Sequence, residues 1–176
     1  FVKDSQGAYV WDLDGNKYID YSMCYAAMIA GHADPIITEA INEQSKKGIL
    51  FGLSGTVATD LAEEIQRRYP VMEMLRYTQS GVEATMYAVR LARAATRKMG
   101  VLKCEGMYHG ANDVLMVSCA VPDNTPAGPD WMPSSIVESA GIPPGATDHT
   151  YVVQFNHLES LESQLKKHAG EVACFI

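Results

Sequence analysis

The chain has no apolar run approaching the roughly 18–20 residues that a membrane-spanning helix needs. It has no block of Lys and Arg, and its 14 basic residues are outnumbered by 21 acidic ones. With a pI near 5.1, it lacks the clustered cations that neutralise phosphates, which argues against a nucleic-acid partner. The four cysteines, Cys24, Cys104, Cys119 and Cys174, form no CxxC pair and no zinc spacing with histidine. They read as buried thiols of a reducing compartment, so the expected location is the cytoplasm. His32, His109, His149, His157 and His168 form no HxxxH pair, which removes the commonest metal-site signature. There is no Walker A sequence and no GxGxxG. Internal repeats and low-complexity tracts are also missing. Residue 1 is Phe, followed by polar and acidic residues, which does not read as a signal peptide. A natural chain starts with Met, so the expectation is a piece of a longer protein.

What is present is an ordinary globular composition, 47% hydrophobic and 20% charged, in 176 residues, enough to bury a core. Two β-prone runs flank Asp14-Gly15 and predict a hairpin over residues 8–21. Asp34 as N-cap and Pro35 at the first position predict a helix that closes at Gly48. A second helix is expected over 58–69, with Ala58, Leu61, Ala62 and Ile65 as its apolar stripe and Pro70 ending it. The pattern then becomes strand 74–78, helix 80–99 closed by Gly100, and strand 101–105. That order predicts a βαβ unit in a parallel sheet. Residues 111–118 are ambiguous between helix and strand. Residues 122–150 are rich in Pro, Gly and Ser and read as a long functional or mobile loop. Strand 151–155, helix 158–168 and strand 173–176 complete an α/β pattern. The last strand is cut at its apolar centre, a second reason to expect a piece.

Two spots carry chemistry. Thr78-Gln-Ser-Gly-Val-Glu83 opens a helix, where the first backbone N–H groups lack partners and favour an anion. Gly81 lets that anion approach closely. The same residues also fit a capping box, Ser80 with Glu83. Glu105-Gly-Met-Tyr-His-Gly110 follows the next strand. There Tyr108 can lie over a flat ligand and His109 can hydrogen-bond beside it. It also fits a plain surface turn. Together the spots suit a phosphorylated aromatic cofactor.

These residues resemble the class III aminotransferases, fold-type I enzymes of pyridoxal phosphate (PLP). Residues 7–16 with Tyr18-Ile-Asp20 look like the family's opening hairpin, and Gly31-His-Ala-Asp-Pro35 like its G-H-x-x-P turn. Ser80-Gly-Val-Glu-Ala84 is similar to its phosphate turn, and Tyr108-His-Gly110 to its stacking loop. Tyr87–Arg93, Phe51-Gly52 and Ser139–Pro143 look closest to the glutamate-1-semialdehyde aminomutases within that family. The resemblance implies an N-terminal hairpin-and-helix segment, 1–52, and an incomplete PLP-binding large domain, 53–176. It implies that Ser80, Gly81 and Val82 hold the cofactor phosphate, that Tyr108 stacks on the pyridine ring and that His109 lies beside it. Tyr25 and Ser54 would fall on substrate loops. The implied substrate is a small amino or oxo compound, and the implied assembly a homodimer.

The chain departs from the family at three positions. Val82 stands where Thr or Ser is usual, Gln79 where Asn is common, and Tyr25 where the aminomutases carry Trp. The chemistry needs a Lys that forms a Schiff base with the cofactor. None of Lys3, Lys17, Lys46, Lys47, Lys98, Lys103, Lys166 and Lys167 matches the family's lysine motif, so no catalytic residue is expected within the chain. The family carries that Lys, and the acid that pairs with the pyridine nitrogen, further downstream. Two other classes stay open on the residues alone: a non-catalytic phosphate-ligand module, and a structural domain whose turns are only caps.

Overall fold

A computed structural model describes residues 1–176. The chain divides into two compact units, Phe1–Met74 and Leu75–Ile176.

The first unit opens with an antiparallel meander of β1 (Val2–Gln6), β2 (Tyr9–Asp12) and β3 (Lys17–Ile19). The predicted hairpin is β2–β3, with Tyr9 opposite Ile19 and Trp11 opposite Lys17. Asp12 organises its turn: the carboxylate accepts from the Asn16 amide and backbone N–H, the Asp14 N–H and the Tyr18 hydroxyl. Those donors, Asn16 first, hold its pKa below the ordinary value. Strand β1 was not foreseen, because its sequence Val-Lys-Asp-Ser-Gln lacks β-branched and aromatic residues beyond Val2. Pairing with β2 imposes the strand. Helices α1 (Pro35–Ser45) and α2 (Thr56–Arg68) follow. Asp34 caps α1 as expected, accepting from the N–H groups of Ile36 and Ile37. The predicted apolar stripe of α2 is there, yet no residue of α1 or α2 is buried. Ile41 of α1 and the stripe residue Leu61 of α2 are both exposed.

Every buried residue lies in the second unit. It contains α3 (Gly81–Thr96), β4 (Gly100–Cys104), β5 (Thr150–Val153), α4 (Leu158–Lys167) and β6 (Val172–Phe175). The three strands are parallel in the order β5-β4-β6. Successive side chains of β4 point to opposite faces. Val101 therefore packs with Val89 of α3 and with Leu115, while Leu102 packs with Tyr151, Val153 and Leu161 of α4. Both faces are covered, as the apolar run Gly100-Val-Leu demands.

Three local expectations are corrected. Residues 74–78 form no strand, because the sheet places no strand beside them that would complete a ladder. The parallel crossover is instead β5-α4-β6, passing β4. Helix α3 ends at Arg97, in the left-handed region at φ 58°, and not at Gly100. Gly100 begins β4, where a Cβ would lie 2.9 Å from the Glu171 carbonyl oxygen and 2.9 Å from the Tyr151 ring. The glycine serves close strand approach, which no local signal distinguishes from a helix stop. The cysteines are all free, but Cys24 is exposed. It sits in a turn that faces outward, and Cys104, Cys119 and Cys174 are only half-buried, so the expectation of four buried thiols fails outright at Cys24 and is met only in part at the others.

At the other end of β5, the Tyr151 and His168 rings stack at 3.5 Å between centroids. Glu171 accepts from the Tyr151 hydroxyl and pairs with His168. His168 first, then Tyr151, hold the Glu171 carboxyl below its ordinary value of 4.5. The unfolded chain therefore takes up this proton first as the pH falls. The stability Glu171 contributes is present above pH 4.5 and is lost as the pH drops through the lowered folded value. Urea midpoints measured from about pH 6 to about pH 3 should fall less in Glu171→Gln than in the parent chain. Equal slopes would mean that Glu171 has no part in the acid response.

Candidate functional site

The first turn of α3 settles how the capping and anion readings relate. Ser80 is extended (φ −152°, ψ 160°), and its hydroxyl accepts from the Glu83 N–H at 3.3 Å. Its carbonyl accepts from the Ala84 N–H, and the Glu83 carboxylate accepts from the Gln79 N–H at 2.7 Å. The cap is real, but it uses only the third and fourth N–H groups of the helix. Those of Gly81 and Val82 have no hydrogen-bond partner in the chain. A Cβ built on Gly81 meets nothing within 4 Å, so the space over these two donors is open. The turn is therefore capped and still leaves two N–H donors open, so the cap does not use up the donors an anion would need.

The loop 105–110 is fastened to that turn. The Thr85 hydroxyl donates to the His109 carbonyl at 2.7 Å and to the Val82 carbonyl at 3.1 Å. Gly110, at φ 88°, lies so close to Val82 that a Cβ there would come within 2.5 Å of the Val82 Cβ. Gly106, at φ 76°, turns the chain out of β4, and its N–H donates to the Ser118 carbonyl. Tyr108 is held out between the two glycines and is 65% exposed, so its ring face is available. His109 is half-buried, and its Nε2 is buried with no partner. Burial first, and the nearby Lys103 charge second, push its pKa below the ordinary value. The imidazole is thus neutral near pH 7 and offers an unfilled polar atom to a ligand.

The structure therefore brings together Ser80, Gly81, Val82, Tyr108 and His109 of the second unit. Two contributors escaped the sequence reading. Thr85, just past the first turn of α3, was given no role of its own, and Gly110 was read only as part of the Tyr108-His-Gly110 loop when its role is contact with Val82. The Val82 side chain is part of that contact and carries no hydroxyl, so only its N–H faces the anion seat. Tyr25 and Ser54 belong to the first unit. Met23, Cys24, Tyr25 and Ala26 all have positive φ, between 42° and 65°. Each such residue costs roughly 1–2 kcal/mol. Strain of this kind collects at functional segments. Tyr25 projects from this turn, 96% exposed. Ser54 is exposed in the loop between α1 and α2, and it lines an open cleft with Phe51, Gly52 and Leu53.

Two unpartnered N–H groups, an exposed aromatic ring and an unfilled imidazole atom thus lie on neighbouring loops beside a parallel sheet. The fold is that of solved transaminases. An omega-transaminase from Sphaerobacter thermophilus superimposes with a TM-score of 0.87 at 32% identity, over 99% of this chain and 40% of that one. A transaminase solved with PLP bound gives 0.84 at 35% identity, over 99% and 39%. The family profile described as aminotransferase class-III matches residues 1–176, and the chain belongs to that family. Among curated relatives, the glutamate-1-semialdehyde 2,1-aminomutase of Polaromonas naphthalenivorans is 39% identical over all 176 residues. The chain spans 38% of that relative's length.

Proposed function

We propose that this chain forms the cofactor-holding part of a PLP-dependent enzyme that moves an amino group between small amino and oxo compounds. The observation that carries this reading is the pair of unpartnered N–H groups at Gly81 and Val82, opening beside Tyr108, in a class III aminotransferase chain. When bound, PLP supplies an electron sink for the charge left when a proton leaves the substrate carbon. The chain's own residues bind and orient. The Gly81 and Val82 N–H groups, with the Ser80 turn, hold the phosphate. Tyr108 lies against the ring and shields one face from water. Neutral His109 offers its unfilled Nε2 as a hydrogen-bond partner to the bound ligand, while its carbonyl fastens the loop to Thr85. Tyr25 and Ser54 contribute to the substrate pocket. In this reading residues 1–52 are an N-terminal segment, residues 53–176 belong to the PLP-binding large domain, and the enzyme is a cytoplasmic homodimer.

The identity to a glutamate-1-semialdehyde 2,1-aminomutase supports a second, narrower reading in which the amino group moves within one molecule. Tyr25, in the place of the aminomutase Trp, supports the broader one.

The test is a titration followed by Tyr and Trp fluorescence. PLP should bind more tightly than phosphate-free pyridoxal by about 10–100-fold, the value of one charged hydrogen bond or slightly more. Inorganic phosphate should compete. Equal affinities for PLP and pyridoxal would refute the phosphate seat. A nucleotide that outcompetes PLP would favour a non-catalytic module. The 176-residue chain alone should transfer no amino group, because none of its eight lysines matches the family's lysine motif. Measurable transamination by the purified chain would contradict that assignment.

A further inference from the structure

Lys103 is the one lysine that the proposed function does not use and that is nevertheless fully buried. It lies in β4, the central strand of β5-β4-β6, where it pairs with Val152 of β5. Its Nζ donates to the Val117 carbonyl. A second contact runs to the sulfur of Cys119, 3.5 Å away. A buried amine with one carbonyl and one sulfur for partners is an expensive arrangement. Cys119 is held just as firmly: its N–H donates to Glu138 at 2.5 Å, and the neighbouring Ala120 N–H donates to the same oxygen. Cys119 is half-buried and Lys103 fully buried, so of the two residues Cys119 is the nearer to solvent. Of the four cysteines, only Cys119 has its sulfur within hydrogen-bond reach of an amine. Cys104 and Cys174 have thiols pushed up by burial, which keeps them protonated and unreactive.

We propose that Lys103 and Cys119 form a peroxide-sensitive modification site, in which Nζ and Sγ become joined through a single oxygen atom. In the first step the sulfur attacks hydrogen peroxide; sulfur is oxidised to the sulfenic acid, the O–O bond breaks, and one water leaves. In the second step a second peroxide displaces the sulfenic hydroxyl as water, leaving S–O–OH; the Lys103 amine then attacks the sulfur-bound oxygen, the O–O bond breaks, nitrogen is oxidised as the N–O bond forms, and the outer oxygen leaves with an amine proton as the second water. In total one amine, one thiol and two peroxides yield the bridge and three waters. Two dithiols reverse it, restoring amine and thiol with release of one water. A bridging oxygen keeps nitrogen and sulfur nearer their present separation than a direct S–N bond would, and a packed interior resists the larger movement. The bridge would tie the central strand to the segment that leads into loop 120–149.

The protein is treated with hydrogen peroxide, digested without reductant and analysed by mass spectrometry. The expected product joins the Lys103 and Cys119 peptides at about 14 Da above their summed mass, one oxygen gained and two hydrogens lost. Trypsin no longer cuts after Lys103, and dithiothreitol restores both peptides. The product is lost in Cys119→Ser and in Lys103→Met. Should Lys103→Met fail to fold, Cys119→Ser and the parent spectrum still decide. Trapped Cys119 sulfenic acid with no link, a species about 2 Da below the summed mass, or equal oxidation of Cys104 would each overturn the proposal.

Discussion

Gly110→Ala is expected to lower the stability of the second unit by about 2–5 kcal/mol and to weaken cofactor binding at the same time. Two costs add. A side chain at φ 88° sits in the left-handed region, worth roughly 1–2 kcal/mol. The new methyl would lie 2.5 Å from the Val82 Cβ and 2.6 Å from its Cα, inside any tolerable contact. Backbone cannot swing aside as a flexible side-chain end does, so the loop and the first turn of α3 must part. Overpacking of this kind costs about 1–3 kcal/mol. Because Val82 carries one of the two free N–H groups, the movement also displaces a phosphate donor. Urea midpoints with an unchanged slope, read beside PLP titrations, measure both effects. Gly106→Ala is the control. It shares the positive φ, at 76°, but a Cβ there meets nothing within 4 Å. It should show the backbone cost alone. Equal losses in the two variants would refute the proposed contact between loop and helix turn.

The second large effect should separate binding from folding. Gly81→Leu places a side chain in the open space above the helix end, where nothing lies within 4 Å of the new Cβ. Its φ is not in the left-handed region, and leucine is the better helix former. Stability should stay within about 0.5 kcal/mol of the parent chain. The phosphate, however, loses its approach to two N–H groups. At about 1.5–3 kcal/mol for each hydrogen bond to a charged group, PLP affinity should fall at least tenfold. Affinity for phosphate-free pyridoxal should hardly change. A folded Gly81→Leu protein with full PLP affinity would show that the Ser80–Glu83 turn is a cap and nothing more.

Much of this arrangement was legible before any coordinates. Asp34-Pro35, Ser80 with Glu83, and Asp14-Gly15 act within a few residues of themselves, so local chemistry places α1, α3 and the hairpin. The order of strands and helices announced a parallel sheet, with residues 101–105 as one of its strands. The motifs Ser80–Ala84 and Tyr108–Gly110 pointed to a family that the whole chain then matched. The two strand corrections have one cause. Strand β1 has weak propensity and exists by pairing, while residues 74–78 have good propensity and no strand to pair with. A strand is a property of two segments, and one segment's sequence reports only half of it.

The sequence by itself determined the helix caps, the turn at Asp14-Gly15, the parallel α/β character and the family. These follow from short-range steric and hydrogen-bond rules, or from residue identity in order. Only the tertiary structure decided that the cap at Ser80 leaves two donors free, that Gly110 is needed for contact with Val82, and that Gly100 serves strand approach instead of ending a helix. It alone set Lys103 against Cys119. Each of these depends on a distance between residues far apart in the chain, and packing fixes such distances where composition and spacing do not.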